Sequence, residues 1–523
     1  MRKAGAIIGS VCTLTAFVLV MSEWLGTGPL HAGAASQPQV KFEKSALPKD
    51  VLARTSFAPV VKKVAPSVVT VYSTKSARES IRSSPLFDDP FFRRFFGFGD
   101  GEGDDEDQPT PPRGGGRRRG GRMPQEQSLG SGVIVTSDGY ILSNNHVVEG
   151  ADVVKVSLGE GRPDLVAKVV GSDPPTDISV LKVDAKDLTP VTITDSGNLQ
   201  VGDVVLALGN PFGVGQTVTM GIVSAVGRGG FGIVDYEDFI QTDASINPGN
   251  SGGALVDVEG RLVGVNTAII SGTGGNMGIG FAVPINMARV VMDRIIKDGR
   301  VVRGYLGVMI QPITPELAEQ FKLPNQSGAL VGNVEEKSPA AAAGVENGDV
   351  ITEFDGQKVN DSRHLRLMVS QTPPKTKVKL KILRQDPNKN RLVDVPLTAT
   401  LGELPAERLA SARGGGRNRE PAPSREEVLE GVAVTDLDNR ARRQFQIPDN
   451  IRGALVMEVA PDSSAYEAGV RPGDVILELN RQKVRDAESA VDLSKRIKNG
   501  RVLLRVWSKG GSHYLVVEPP EKK

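Results

Sequence analysis

Between residues 130 and 283 the chain is written in short apolar runs. Gly132-Val133-Ile134-Val135, Val153-Val154-Lys155-Val156, Val204-Val205-Leu206-Ala207 and Leu262-Val263-Gly264-Val265 are separated by Gly, Asp, Asn and Pro. Runs this short and rich in β-branched residues, closed by turn formers, predict strands. Many of them at close spacing predict a barrel or a sandwich. Upstream, Phe57-Ala58-Pro59-Val60-Val61 reads as a short helical stretch before a strand at Val68-Val69-Thr70-Val71-Tyr72. The period changes at Asn286 to Lys297, where Met287, Val290, Val291 and Ile295 fall on one helical face.

Two later segments repeat each other. Gly328-Ala329-Leu330-Val331, Ser338-Pro339-Ala340, Ala343-Gly344-Val345 and Gly348-Asp349-Val350-Ile351 recur in order as Gly453-Ala454-Leu455-Val456, Ser463-Ser464-Ala465, Ala468-Gly469-Val470 and Gly473-Asp474-Val475-Ile476. Each copy continues to a Gln-Lys-Val turn, at 357–359 and at 482–484. Matched order of this kind indicates tandem homologous domains. Residues 402–426, with Gly414-Gly415-Gly416, Pro421 and Pro423, read as a polar linker between them.

Two segments break the pattern. In residues 1–36, Arg2 and Lys3 precede an apolar run and Ala32-Gly33-Ala34 follows, the layout of a secretory signal, with an uncleaved anchor as the alternative. Residues 74–127 hold six Phe between 87 and 98, then the acidic run 104–107 and a Gly/Arg run from Gly114 to Arg122. The charged part is too polar to bury a core and reads as a loop, whereas the Phe cluster calls for a partner surface.

Composition narrows the chemistry. A length of 523 residues predicts several domains, and the net charge of +1 gives no reason to expect nucleic acid. The single cysteine, Cys12, falls in the export segment, so a mature chain would be without disulfides, thiolate catalysis or cysteine-based zinc. No phosphate-binding loop or metal-ligand cluster is legible, so no cofactor and no metal are expected. Gly227-x-Gly229-x-x-Gly232 lacks the strand and long helix of a dinucleotide site and reads as a loop.

The candidate chemistry rests on Gly249-Asn250-Ser251-Gly252-Gly253-Ala254-Leu255, one serine set among glycines ahead of an apolar run. A serine hydroxyl attacks only when a base takes its proton, and histidine does so near neutral pH. Of the four histidines, only His146, in Asn145-His146-Val147-Val148, shares the β-rich segment with Ser251. The base needs an orienting carboxylate. Asp177, in Pro175-Thr176-Asp177-Ile178-Ser179-Val180-Leu181, is the first choice and Asp243 its rival. The nucleophile elbow of α/β-hydrolases fails because its histidine would have to follow the serine. The order His, Asp, Ser is that of chymotrypsin-type enzymes.

On Ser143-Asn144-Asn145-His146-Val147-Val148, Asp177-Ile178-Ser179-Val180-Leu181-Lys182 and Asn247-Pro248-Gly249-Asn250-Ser251-Gly252-Gly253-Ala254-Leu255, followed by two PDZ-like repeats, the chain resembles the HtrA/Deg family of envelope serine proteases, DegP/DegQ (Do-like) branch. The resemblance spans roughly 55–520. It implies a mainly β protein: a trypsin-like double β-barrel over 55–300, carrying 74–127 as a long regulatory loop, then PDZ domains at 303–401 and 427–520. It implies Ser251 as nucleophile, His146 as base and Asp177 as its orienter. The N–H groups of Gly249 and Ser251 would line an oxyanion hole with Asn250 between them. Ile246, Ala268 and Ile279 would line an uncharged pocket for small or medium aliphatic side chains. Arg228 matches a sensor-loop arginine, against the plain reading of a solvent-facing Arg beside glycines. Peptide carboxylates would be held at Tyr305-Leu306-Gly307-Val308 and at Glu430-Gly431-Val432-Ala433, where Glu430 departs from the pattern. The implied protein is exported to the periplasm or envelope and is a trimer-based homo-oligomer acting on unfolded proteins and peptide C-termini, with membrane contact only through an uncleaved N-terminus. A chaperone or scaffold role and an esterase are the rival readings.

Overall fold

The computed structural model describes residue 41 and residues 56–75, 126–159, 161–210, 215–247, 249–269, 278–386, 391–405, 426–497, 500–508 and 510–518. The export segment, the Phe-rich and charged tracts and most of the linker lie outside the described residues.

The short helix α1 (Ala58–Val64) starts with a proline in its first turn and leads into β1 (Val68–Lys75). Six strands, β1, β2 (Glu126–Ile134), β3 (Tyr140–Ser143), β4 (Val153–Ser157), β5 (Leu165–Asp173) and β6 (Ile178–Lys182), close a barrel in the order β1-β2-β3-β6-β5-β4. A second sheet contains β7 (Thr192–Ile193), β8 (Val204–Gly209), β9 (Thr217–Arg228), β10 (Phe239–Thr242), β11 (Ala254–Asp257), β12 (Arg261–Ile269) and β13 (Gly280–Pro284). Its order is β11-β8-β9-β10-β13-β12-β7, and the added β11–β12 pairing closes the larger strands into a second ring. Closure removes open sheet edges, the main hazard of an antiparallel sheet.

The helix expected near 286–297 runs from Ile285 to Asp298, and is labelled α2 below. Met287, Ala288, Val291, Met292 and Ile295 are buried and Val290 is half-buried, so the expected face is the one packed inward. Gly299 ends it in the left-handed region, its N–H donating to the Ile295 carbonyl. Ile295 packs against Gly171 of β5, so this helix also touches the first barrel.

The two repeats form separate five- and six-stranded antiparallel paths, each with a short extra hairpin strand. The first orders Val308–Gln311, Ala329–Val334, Val350–Phe354, Lys377–Asp386 and Arg391–Thr400. The second orders Glu426–Leu429, Val432–Asp436, Ala454–Val459, Val475–Leu479, Val502–Ser508 and Gly511–Val517. In each, one helix covers the core: Ser362–Gln371 in the first and Ala487–Lys495 in the second, capped by Asp361 and Asp486. Residues 402–403, read from sequence as linker, instead pair with Gly304–Tyr305 and finish the first domain.

Candidate active site

The site is built where the first barrel meets the second. After β3, Asn144 stays extended and residues Asn145–Val148 make a single helical turn with all four side chains buried. Val147 and Val148 belong to the first barrel's core, which fixes the rotation of that turn and hence of His146 just before them. Across from it, the 3₁₀ turn Pro174–Thr176 ends at Asp177, which is left-handed with φ 57° and ψ 36°. Its carbonyl, turned out by that conformation, accepts from Asn145 N (3.1 Å) and from Asn144 Nδ2 (2.9 Å). The Asp177 side chain lies against the histidine: Oδ2 is 2.8 Å from His146 Nδ1, and Oδ1 accepts from His146 N at 3.0 Å. Asp177 therefore both ends the turn after two prolines and pairs with His146.

Thr267 on β12 joins the two barrels at this point. Its hydroxyl donates to Asp177 Oδ2 at 2.6 Å, and its carbonyl accepts from Ser251 Oγ at 3.2 Å. The serine loop is held from the first barrel as well. Ser131 N donates to Ser251 O (2.8 Å), and Ser131 Oγ donates to Gly249 O (2.6 Å) while accepting from Asn210 N (2.9 Å). Gly252 has φ 82°, and a Cβ there would stand 2.1 Å from the Ser131 carbonyl oxygen, so only glycine fits. Among the described residues, the N–H groups of Asn250, Gly252 and Gly253 find carbonyl partners, the first at Asn247, whereas those of Gly249 and Ser251 find none. Buried N–H groups without a protein acceptor are the exception in folded proteins, and a catalytic role is one of the reasons for them. Asn250 sits between the two amides with its own N–H already used.

The rival carboxylate is elsewhere. Asp243 is exposed, and its Oδ1 accepts from Ile222 N at 2.7 Å, which serves a β-bulge between β9 and β10. Ile246 is fully buried against Gly280, Ile279 precedes Gly280 and is half-buried, and Ala268 pairs with Phe281 across β12 and β13. Ile246 and Ile279 thus both neighbour Gly280, next to the Phe281 that pairs with Ala268, and none of the three is charged. Arg228, exposed at the end of β9, donates through Nε to Gln241 Oε1 at 3.0 Å. The glycine-rich segment beyond it is a loop, as its sequence suggests, and Glu237 accepts from the backbone N–H groups of Gly230, Phe231, Ile233 and Val234.

Sequence reasoning missed the brace behind the Asp177 turn. Asp173 Oδ1 and Oδ2 accept from Arg303 Nη1 (2.9 Å) and Nη2 (2.6 Å), and both residues are buried. Thr176 Oγ1 also donates to Asp173, and Tyr236 N donates to Pro175 O at 2.9 Å. The Arg303 guanidinium lies 4.5 Å from the centroid of the Tyr236 ring. Burial pushes the Tyr236 phenol up, with the Arg303 charge opposing it. Thr267, Ser131 and Arg303 were missed because their partners lie 90, 118 and 130 residues away, and no local spacing encodes such pairings.

At the two predicted carboxylate loops, Gly307 (φ 79°) and Gly431 (φ 73°) play the same part. Gly307 O accepts from Glu335 N and Gly431 O from Ala460 N, and each glycine faces a serine, Ser338 or Ser463. Tyr305 donates its hydroxyl to Glu335. Leu306 is buried at 2% exposure and Glu430, its counterpart, is exposed. The equivalence corrects the register of the second quartet by one residue: Leu429, not Ala433, completes it opposite the first.

A trypsin-like peptidase domain model matches residues 130–265, and two PDZ domain models match 304–397 and 455–508. A probable periplasmic serine endoprotease, DegP-like, of Chlamydia muridarum (strain MoPn / Nigg) is 39% identical over 500 residues, 93% of each chain. One from Pseudomonas fulva (strain 12-X) is 39% identical over 475 residues, covering 89% of this chain and 94% of the relative. Among solved structures, the HtrA-type protease AlgW with a tripeptide is 44% identical with a TM-score of 0.52, covering 67% of this chain and 98% of AlgW. The same protease with a decapeptide is 47% identical with a TM-score of 0.50, covering 67% and 99%. With its trypsin-like domain followed by two PDZ domains, the chain belongs to the HtrA family of periplasmic, DegP-like serine endoproteases.

Proposed function

We propose that the protein is an ATP-independent endopeptidase that degrades misfolded or unfolded envelope proteins through Ser251, His146 and Asp177. The observation that carries this reading is the shared contact at Thr267, whose hydroxyl meets Asp177 and whose carbonyl meets the Ser251 hydroxyl, with His146 bonded to the same Asp177 oxygen. Ser251 Oγ attacks the scissile carbonyl and hands its proton to His146 Nε2. Asp177, bonded to Nδ1, fixes the tautomer that leaves Nε2 able to accept and stabilises the imidazolium that results. The oxyanion is received by the N–H groups of Gly249 and Ser251, each such donor being worth about 10²–10³ in rate. The apolar walls at Ile246, Ala268 and Ile279 favour cleavage after small or medium aliphatic residues. Arg228, bonded to Gln241, serves as the sensor-loop arginine of the family resemblance.

A PDZ domain takes a peptide C-terminus by adding it as a strand, its carboxylate lodged among backbone N–H groups. In the first domain Val308–Gln311 is the end strand of its sheet, with no strand on its outer side among the described residues. That edge, leading out of the Tyr305-Leu306-Gly307-Val308 loop, is the peptide receptor in this reading. The working assembly is trimer-based.

Unfolded casein decides the central point. Wild-type protein gives fragments, and Ser251→Ala loses turnover by about 10⁴-fold or more. Equal turnover by both would leave the chaperone or scaffold reading standing. Removal of residues 304–523 slows casein digestion more than cleavage of short peptides; equal slowing would count against delivery by the PDZ domains.

A further inference from the structure

The two PDZ domains differ at their peptide edges. In the first, the two residues that lead into the loop, Gly304–Tyr305, pair with Gly402–Glu403, away from Val308–Gln311. In the second, the counterparts Val428 and Leu429 belong to the strand Glu426–Leu429, which pairs antiparallel with Val432–Asp436. The pairings are Glu426↔Val434, Glu427↔Ala433 and Leu429↔Val432. Val432–Asp436 bonds Ala454–Val459 on its other side, so its outer edge is taken.

This is the edge a docked peptide would use. Such a peptide runs antiparallel to the receiving strand with its last residue at the glycine loop, and Glu426–Leu429 does both, ending two residues before Gly431. The strand also packs along the helix Ala487–Lys495, the other wall of the groove. Val428, 3% exposed, lies in one apolar cluster with Val432, Val434, Ala487 and Ala490, and Leu429 packs against that cluster. The sequence supplies the cause. Leu306 anchors the first loop in its core, whereas Glu430 at the same place is exposed, so the apolar anchor moves to Val428 and the chain folds back into a hairpin.

We infer that the second PDZ domain is closed by its own leading strand, which occupies the groove as a tethered ligand, so that a peptide C-terminus docks only on the first PDZ domain until residues 426–429 withdraw. The inference rests on the proposed reading of these edges as receptors of peptide C-termini.

The test uses the full chain carrying Ser251→Ala and has two arms. The first replaces the facing residues, Glu427→Cys with Ala433→Cys, and maps disulfides by mass spectrometry after mild oxidation. Facing strand positions lie close enough to bridge, and a 427–433 bridge in most molecules is the expected result. No bridge there would overturn the proposal. The second arm counts a fluorescein-labelled decapeptide ending in Val-Val with a free carboxylate. One per chain is expected for the unsubstituted and bridged proteins. Two per chain are expected after Val428→Asp or the milder Val428→Gly, each checked for a cooperative melt of the second domain. Two peptides on the unsubstituted chain, or still one on a folded Val428 variant, would overturn it. Failure of every form to bind the peptide would sink the receptor reading instead, and the disulfide arm would still decide whether the strand fills the groove.

Discussion

The two PDZ domains share the order of five strands, their helix caps and the loop glycine, and differ in the loop's anchor and in the partner of one buried aspartate. In the first, Leu306 is buried beneath the loop, and Asp349 accepts from Arg384 through both oxygens, at 2.8 and 2.7 Å. In the second, Glu430 is exposed, and Asp474, at the place of Asp349, accepts from the backbone N–H of Arg471. Burial raises the Asp474 carboxyl above its ordinary range, with its hydrogen bonds and His513 pulling it back. One domain spends its apolar anchor inside the loop and keeps a strand edge open. The other lacks that anchor and covers the edge. In this reading two copies of one fold diverge in access where the apolar anchor of the loop gives way to a charged residue and the leading strand supplies another.

The largest expected effect comes from carrying that exchange back. Leu306→Glu should destabilise the first domain by about 3–5 kcal/mol, since it removes a buried side chain and leaves a charge without a partner. Glu430→Leu should change the second by less than about 0.5 kcal/mol. Urea melts followed by hydrogen exchange in each domain check this, and equal effects would break the comparison. Asp349→Asn comes next, at about 1–3 kcal/mol, because it weakens a bidentate pair whose arginine is partly exposed. Asp474→Asn should be near neutral, as the amide removes a carboxylate whose ionisation burial opposes. Gly307→Ala should cost more than the roughly 1 kcal/mol of a left-handed alanine, because its Cβ would meet Ser338 Cβ at 2.2 Å. Gly431→Ala meets Ala460 and Ser463 at 2.8 and 3.0 Å and should be the milder of the pair in the same melts.

The smallest effect is a pH dependence. Burial pushes the His513 imidazole down, with Asp474 opposing. A histidine whose folded value lies below its unfolded value near 6.5 favours folding above that value, and the benefit is lost as pH falls through it towards the folded value. The second domain should therefore lose stability on acidification from pH 7, and His513→Gln should flatten that slope. Asp474 acts with the opposite sign and lower down: its raised value means that folding gains as pH falls through it towards the unfolded value of 3.8. An unchanged slope in the His513 variant would remove this assignment.

Much of this was legible before any coordinates. Val/Ile runs closed by turn residues fall on the strands, and the helix at Ile285–Asp298 shows its inward face in its spacing. The repeated Ser, Ala-Gly and Gly-Asp signatures occupy matching places in both PDZ domains. His146 and Ser251 were legible because a nucleophile without its base is useless and only one histidine was available. Sequence ranks Asp177 ahead of Asp243 only by its place away from the serine loop, since both stand beside turns; in the fold Asp177 is buried against His146, whereas Asp243 is exposed and bonds a bulge. Thr267, Ser131 and the Arg303 brace depend on which barrel faces which, which a pattern of nearest neighbours does not carry. The covered edge was hidden for a similar reason. Glu430 was visibly out of place, but where the chain would find its replacement anchor depends on a hairpin that only packing reveals.

The left-handed backbone of Asp177 has one more consequence. Of the coded residues, aspartate and asparagine are unusual in tolerating that conformation with a side chain in place. An Asp177→Asn chain should therefore hold its shape while presenting the wrong hydrogen-bond donor to the imidazole. A single amide-for-acid exchange could turn this enzyme into an intact decoy, still able to grip what it no longer cuts.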